Sequence, residues 1–163
     1  MVIWIIGLSG AGKTTLANIL KKKLIKKKYK FIHIDGDAIR KIYDIKLGYS
    51  FKDRSINAKR ISLLAKFLAD QKINLIVSVL SNYPEWLKWN KKNLKNYLQI
   101  YLKTDLNILK KRKPKLYRSK KKNIVGLDIK FNEPKKNNYV IINSTSLKTL
   151  NRAAANFIKI NRL

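Results

Sequence analysis

The sequence predicts an α/β domain, a five-stranded parallel sheet with helices on both faces. Three observations predict it. Short runs rich in Ile and Val alternate with longer segments of helical period. Those runs are apolar throughout, as strands covered on both faces are. A glycine-rich stretch joins the first run to the first helix.

Taken in order, Val2–Ile6 reads as a fully buried strand because no polar residue interrupts it. Residues 13 to about 27 form a helix with Leu16, Ile19, Leu20 and Leu24 on one face. Residues 31–34 give a second strand and 37–43 a short helix. Residues 53–71 hold the clearest helical period, in Ile56, Ile61, Leu64, Ala65 and Leu68, with Asp53 where an N-terminal carboxylate is favourable. Strands at 74–80 and 98–102 bracket a helix at 85–94, and 105–111 is helical. Residues 113–136 have no sustained period, are densely basic and hold two of the three prolines. So long an irregular stretch is expected to be functional or mobile. Tyr139–Ile142 is the fifth strand and Leu147–Ile160 the closing helix. No internal repeat or linker divides the 163 residues, which suit one domain, 1–163.

Composition narrows the setting. No cysteine is present, so neither a disulfide framework nor a thiolate metal site is available. The first apolar run is too short for a signal peptide core or a membrane span, and a cytoplasmic protein without a membrane partner is expected. The formal charge of +29 raises the question of a polyanionic partner. Its lysines lie in runs such as Lys21-Lys22-Lys23 and Lys26-Lys27-Lys28, without the interleaved aromatics of a base-stacking platform. Compositional drift toward Lys, Asn and Ile is the preferred reading, and a nucleic-acid partner is not expected.

GLSGAGKTT, residues 7–15, satisfies G-x-x-x-x-G-K-[ST] between a predicted strand and a predicted helix, the context that motif requires. Glycines let successive backbone N–H groups converge on phosphate oxygens, and the helix N-terminus adds its dipole. The expected nucleotide site comprises Gly7, Ser9, Gly10, Ala11, Gly12, Lys13, Thr14 and Thr15. Lys13 reaches the β- and γ-phosphates, and the Thr14 hydroxyl is placed for Mg²⁺. ATP or GTP, with Mg²⁺, is therefore the expected nucleotide.

IDGDAIR, residues 34–40, closes the second strand and sets two of the nine acidic residues one apart. Ligands of open α/β sheets bind beyond the carboxyl ends of the strands, so Asp35 and Asp37 are expected to face the cradle. A kinase acting on a hydroxyl needs a carboxylate to orient it and accept its proton, the role given to Asp37. Asp35 is expected near the metal, through water. A bland alternative is an Asp-Gly turn with Asp37 as helix cap.

With these motifs on the page, the chain resembles the adenylylsulfate kinases, P-loop enzymes that phosphorylate the 3′-hydroxyl of adenylyl sulfate. The resemblance runs from Ile3 to about Pro134. It rests on GLSGAGKTTLA, IDGDAIR, LGYSFKDRSINAKR, SNY at 81–83, RKPKLY and VGLDIKFNEP in order. It implies that Asp37 binds and deprotonates the ribose hydroxyl and that Arg40 and Arg54 grip the acceptor's 5′ anionic part. It also implies that Tyr49 packs on the base, Asn57 hydrogen-bonds nearby and Ser81 lines the site. Arg112 and Lys115 resemble lid residues that cover the nucleotides, Arg112 on the ATP side. Guanidinium forks suit phosphate-like oxygens and an aromatic face suits a nucleobase.

Departures cluster on the acceptor side. Ile124 and Val125 precede Gly126 where the resemblance has Phe-Thr, and that Phe stacks on adenine. Pro84 and Asn82 also depart, and the segment before Gly126 is short. A relative of this kind phosphorylates cytidine diphosphoramidate in capsule biosynthesis, and a smaller pyrimidine tolerates Ile124. The expected acceptor is a small nucleotide, adenylyl sulfate or cytidine diphosphoramidate. A polynucleotide 5′-hydroxyl kinase and a non-catalytic nucleotide-binding module are the alternatives. Trp86 and Trp89 on one helix are either core or the interface of a homodimer.

Overall fold

In a computed structural model, residues 1–43, 47–80, 83–118, 122–135, 137–143 and 146–163 are described. Strand β1 (Val2–Ile6) is central, and β2 (Phe31–Asp35), β3 (Asn74–Val79), β4 (Tyr97–Lys103) and β5 (Tyr139–Ile142) complete one sheet. Its order is β2-β3-β1-β4-β5, with every pairing parallel. The crossovers are α1 (Lys13–Lys26), α2 (Gly36–Ile42), α3 (Phe51–Asp70), α4 (Pro84–Asn93), α5 (Leu106–Arg112) and α6 (Pro114–Tyr117), with α7 (Leu147–Ile160) last.

Side-chain alternation explains the wholly apolar first strand. Ile3 and Ile5 enter one core with Leu16, Leu20 and Leu24 of α1 and Phe157 of α7. Val2, Trp4 and Ile6 enter the other with Ile39 of α2 and Ile61 and Ala65 of α3. Successive strand residues face opposite sides, so a central strand covered on both leaves no polar position.

Helix starts differ from the sequence reading, and each difference has a local cause. Asp35, not Asp37, caps α2: its side chain accepts from the Asp37 backbone N–H. The helix thus starts at Gly36 and leaves the Asp37 side chain free of capping. Ser50 caps α3 through the Asp53 N–H, while its hydroxyl donates to the Asp53 carboxylate at 2.6 Å. Asp53 is therefore the third residue of a reciprocal cap, and α3 begins at Phe51. Nor is 113–136 without structure. Pro114 opens α6, and residues 124–129 form a turn in which Asp128 accepts from the Ile124 N–H. Tyr117, Ile124 and Val125 are buried. Trp86 and Trp89 are half-buried and pack on each other at 5.8 Å between ring centroids. Among the described residues, no helix is long and apolar enough to cross a membrane.

Candidate active site

The carboxyl ends of β1, β2 and β3 open onto one cavity of about 650 Å³. Its floor is the loop between β1 and α1. Gly12 stands at the N-cap of α1, no side chain caps that end, and the first turn carries no acid. Most helices satisfy these first N–H groups with Ser, Asp or a capping box. Here they are left to an anion, with the dipole behind them. Gly10 and Gly12 have φ of +83° and +96°, which L side chains rarely adopt. Gly7 is needed for a different reason: a Cβ there would lie 2.6 Å from the Leu102 carbonyl oxygen of β4.

Lys13 is half-buried in the cavity wall. Its Nζ donates to the Leu8 carbonyl at 2.9 Å. Burial lowers its pKa to about 8 against the attraction of Asp37 and Asp35, and Lys113 adds to the lowering. The Asp35 carboxylate accepts from the Thr14 hydroxyl at 3.1 Å, from the Ser78 hydroxyl at 3.2 Å and from the Asp37 N–H at 3.0 Å. Burial alone would raise its pKa, but these hydrogen bonds hold it below the usual carboxylate value. Behind Ser78 stands the chain's one histidine, His33, with Nε2 2.8 Å from the Ser78 oxygen.

Asp37 is exposed and lines the cavity, and no ion pair among the described residues engages it. The same cavity is lined by two guanidinium groups, Arg40 and Arg54, 5.0 and 5.2 Å from the centroid of the half-exposed Tyr49 ring. Arg54 also donates to the carbonyls of Tyr49 and Asn123. Burial, then the charge of Arg40, lowers its pKa. Two cations this close, without a carboxylate partner among the described residues, favour an anionic ligand. Asn57 is buried and donates to the Gly36 carbonyl at 3.1 Å, which fixes the turn that carries Asp37.

Of the residues singled out in the sequence, Ser9, Gly10, Gly12, Lys13, Thr14, Thr15, Asp35, Asp37, Arg40, Tyr49, Arg54, Asn57, Arg112 and Ile124 all line this cavity. Four do not. Gly7 and Ala11 are buried beneath the loop, and Gly126 makes a left-handed turn against Leu8. Lys115 is exposed on α6 away from the lining. Lys113 takes its place, because α5 ends at Arg112 and Pro114 opens a new helix that turns the next lysine away. Ser81 lies outside the described residues. Sequence reasoning missed Ser78, Lys113, Tyr117 and Asn123 as lining residues. Ser78 sits in a run that reads only as a strand, and Tyr117 closes RKPKLY, a motif that assigns it no role.

Oxygen chemistry at Thr14 and Asp35 fits Mg²⁺. A carboxylate held ionised beside an exposed hydroxyl offers two hard donors, and Mg²⁺ on a nucleotide takes few protein ligands. No group of three or more His, Cys, Asp or Glu that could hold a metal occurs among the described residues.

Comparison with known proteins agrees with this geometry. The profile of the adenylylsulphate kinase family matches residues 1–142. A probable adenylyl-sulfate kinase of Archaeoglobus fulgidus is 38% identical over 145 residues, 86% of this chain and 94% of that protein. The cytidine diphosphoramidate kinase of Campylobacter jejuni is 37% identical over 164 residues, 97% of this chain and 94% of that protein. The structure of a Mycobacterium tuberculosis APS kinase in complex with AMPPNP and APS superposes with a TM-score of 0.86 at 26% identity, covering 99% of this chain and 97% of that one. The fold is that of the P-loop kinases, and the activity is phosphoryl transfer from ATP to an alcohol group of a nucleotide. With that profile spanning residues 1–142, the chain belongs to the adenylylsulphate kinase family.

Proposed function

We propose that this kinase phosphorylates the ribose 3′-hydroxyl of a small nucleotide with an anionic 5′ group, adenylyl sulfate or cytidine diphosphoramidate, using ATP and Mg²⁺. The observation that carries it is the exposed Asp37 carboxylate, which shares a cavity with the phosphate cradle and with Arg40 and Arg54. The two acceptors are the substrates that the relatives' names state.

In this reading Asp37 accepts a hydrogen bond from the ribose hydroxyl and takes its proton as the oxygen attacks the γ-phosphorus. The new O–P bond forms as the bond to the β,γ-bridging oxygen breaks, and ADP leaves. Lys13 and the cradle amides hold the transferring phosphoryl group, where charge gathers. Thr14, and Asp35 through water, would hold Mg²⁺, which when bound neutralises charge on the phosphates. Arg40 and Arg54 hold the acceptor's 5′ anion, and Tyr49 offers its exposed face to the base.

The test is incubation of the purified protein with ATP, Mg²⁺ and each acceptor in turn, scored by ADP release and by phosphate on the ribose. Turnover of one acceptor supports the reading and selects between them. Turnover of neither overturns it, and turnover of oligonucleotide 5′ ends would replace it with a polynucleotide kinase.

A further inference from the structure

Beyond the cradle motif itself, the floor of the site is fixed by a residue far along the chain. Asn143 follows β5 directly and is buried. Its backbone N–H donates to the Lys103 carbonyl at 2.8 Å, extending the ladder between β4 and β5. Its side-chain Nδ2 donates to the Ala11 carbonyl at 2.7 Å, across 132 residues of sequence.

We propose that Asn143 is a positioning residue for the ATP phosphates, acting through the Ala11–Gly12 peptide. A peptide unit is planar and trans, so its C=O and N–H point in opposite directions. With the Ala11 oxygen drawn toward β5, the Gly12 N–H is turned the other way, toward the cavity that Gly12 lines. Gly12 holds a φ of +96°, and a Cβ added there would lie 2.8 Å from that same Asn143 nitrogen. Asn143 and Gly12 are therefore fitted to each other. The side chain fills the space that the glycine leaves and locks the left-handed turn aiming the amide at phosphate. Rigid amides set in advance bind an anion without reorganising, which is where such a brace adds affinity.

The inference concerns the donor half of the site, and it rests on ATP being the donor without depending on which acceptor is used. The test is Asn143→Leu, which keeps the branching and heavy-atom count of the side chain and removes the donor, studied by calorimetric titration with ATP. A released Ala11–Gly12 peptide forfeits a charge-assisted hydrogen bond, so the ATP dissociation constant is expected to rise about tenfold. KM for the acceptor that the wild type phosphorylates should stay within twofold. A loss of ATP affinity below threefold in the folded variant overturns the proposal, as does an equal loss for ATP and acceptor. Where the variant does not fold, the wild type decides by NMR. The Gly12 amide proton must shift on saturation with ADP, and an unperturbed Gly12 amide overturns the proposal. Should the wild type turn over neither adenylyl sulfate nor cytidine diphosphoramidate, the acceptor assignment fails while the ATP titration still decides this one.

Discussion

The Tyr117 hydroxyl of α6 donates to the Ser9 carbonyl of the phosphate loop at 2.8 Å, joining two segments 108 residues apart in sequence. Tyr117 is buried, and burial raises its phenol to about 12, so it stays a donor throughout the working pH range. It anchors the end of α5 and the residue after it, which contribute Arg112 and Lys113 to the cavity, against the glycine-rich loop. Tyr117→Phe removes this tie and leaves the ring. One buried hydrogen bond contributes about 1 kcal/mol, so ATP affinity is expected to fall roughly fivefold by titration calorimetry. Unchanged affinity would show that α6 is held by packing alone.

Asp37 is the sharpest test of the chemistry. Asp35 occupies the cap, so the Asp37 side chain holds no structural bond among the described residues and its removal should leave the fold intact. Asp37→Ala is expected to keep ATP affinity within twofold and to lower kcat by about 10² or more, the lower range for a positioned base. Wild-type turnover in this variant would remove Asp37 from the reaction, and a non-catalytic module would show no turnover in either protein.

The buried ammonium of Lys13 gives a pH signature. Its pKa is lowered to about 8 by burial, so the free protein loses this positive charge as pH rises through about 8. ATP should restore the proton on binding. Calorimetry at pH 9 in two buffers of different ionisation enthalpy is expected to show proton uptake, and Lys13→Met should abolish it. Stability moves the opposite way. Between the folded value near 8 and the ordinary lysine value of 10.5 the unfolded chain binds more protons, so the penalty for burying Lys13 is full below pH 8 and relieved across that window. The difference in Tm between wild type and Lys13→Met should narrow as pH rises from 8 toward 10.

Much of this was legible in the sequence because the relevant forces are local. Val2–Ile6 reads correctly from its unbroken apolar run, and the cradle from spacing that only a strand–loop–helix junction accommodates. The Asp35 cap was not legible, since Asp-Gly-Asp permits either carboxylate to cap and the choice depends on Thr14 and Ser78 reaching Asp35 from other elements. Lys113 and Lys115 are equivalent as charges in a basic run, and only the break between α5 and α6 turns one inward. The Asn143 and Tyr117 contacts span more than a hundred residues, and nothing in an Asn after a strand or a Tyr in a lid announces a carbonyl partner.

The proposed choice between the two acceptors can be tested at Ile124. It is buried yet lines the cavity together with Tyr49, Arg54 and Asn123. A β-branched aliphatic side chain offers no π-face, so a base resting here would stack on one side only, on the exposed Tyr49 ring. A purine has more face to lose than a pyrimidine, so in the proposed reading Ile124 would penalise an adenine acceptor the more. Ile124→Phe restores the second face, and base–aromatic stacking is worth about 1–3 kcal/mol per base. kcat/KM for adenylyl sulfate is therefore expected to rise by about 5- to 150-fold and that for cytidine diphosphoramidate by less, so that the ratio of the two rises while KM for ATP stays unchanged. A ratio that stays put would mean that the acceptor's base does not lie against residue 124, and that selectivity is set by the arginine pair at its anionic end.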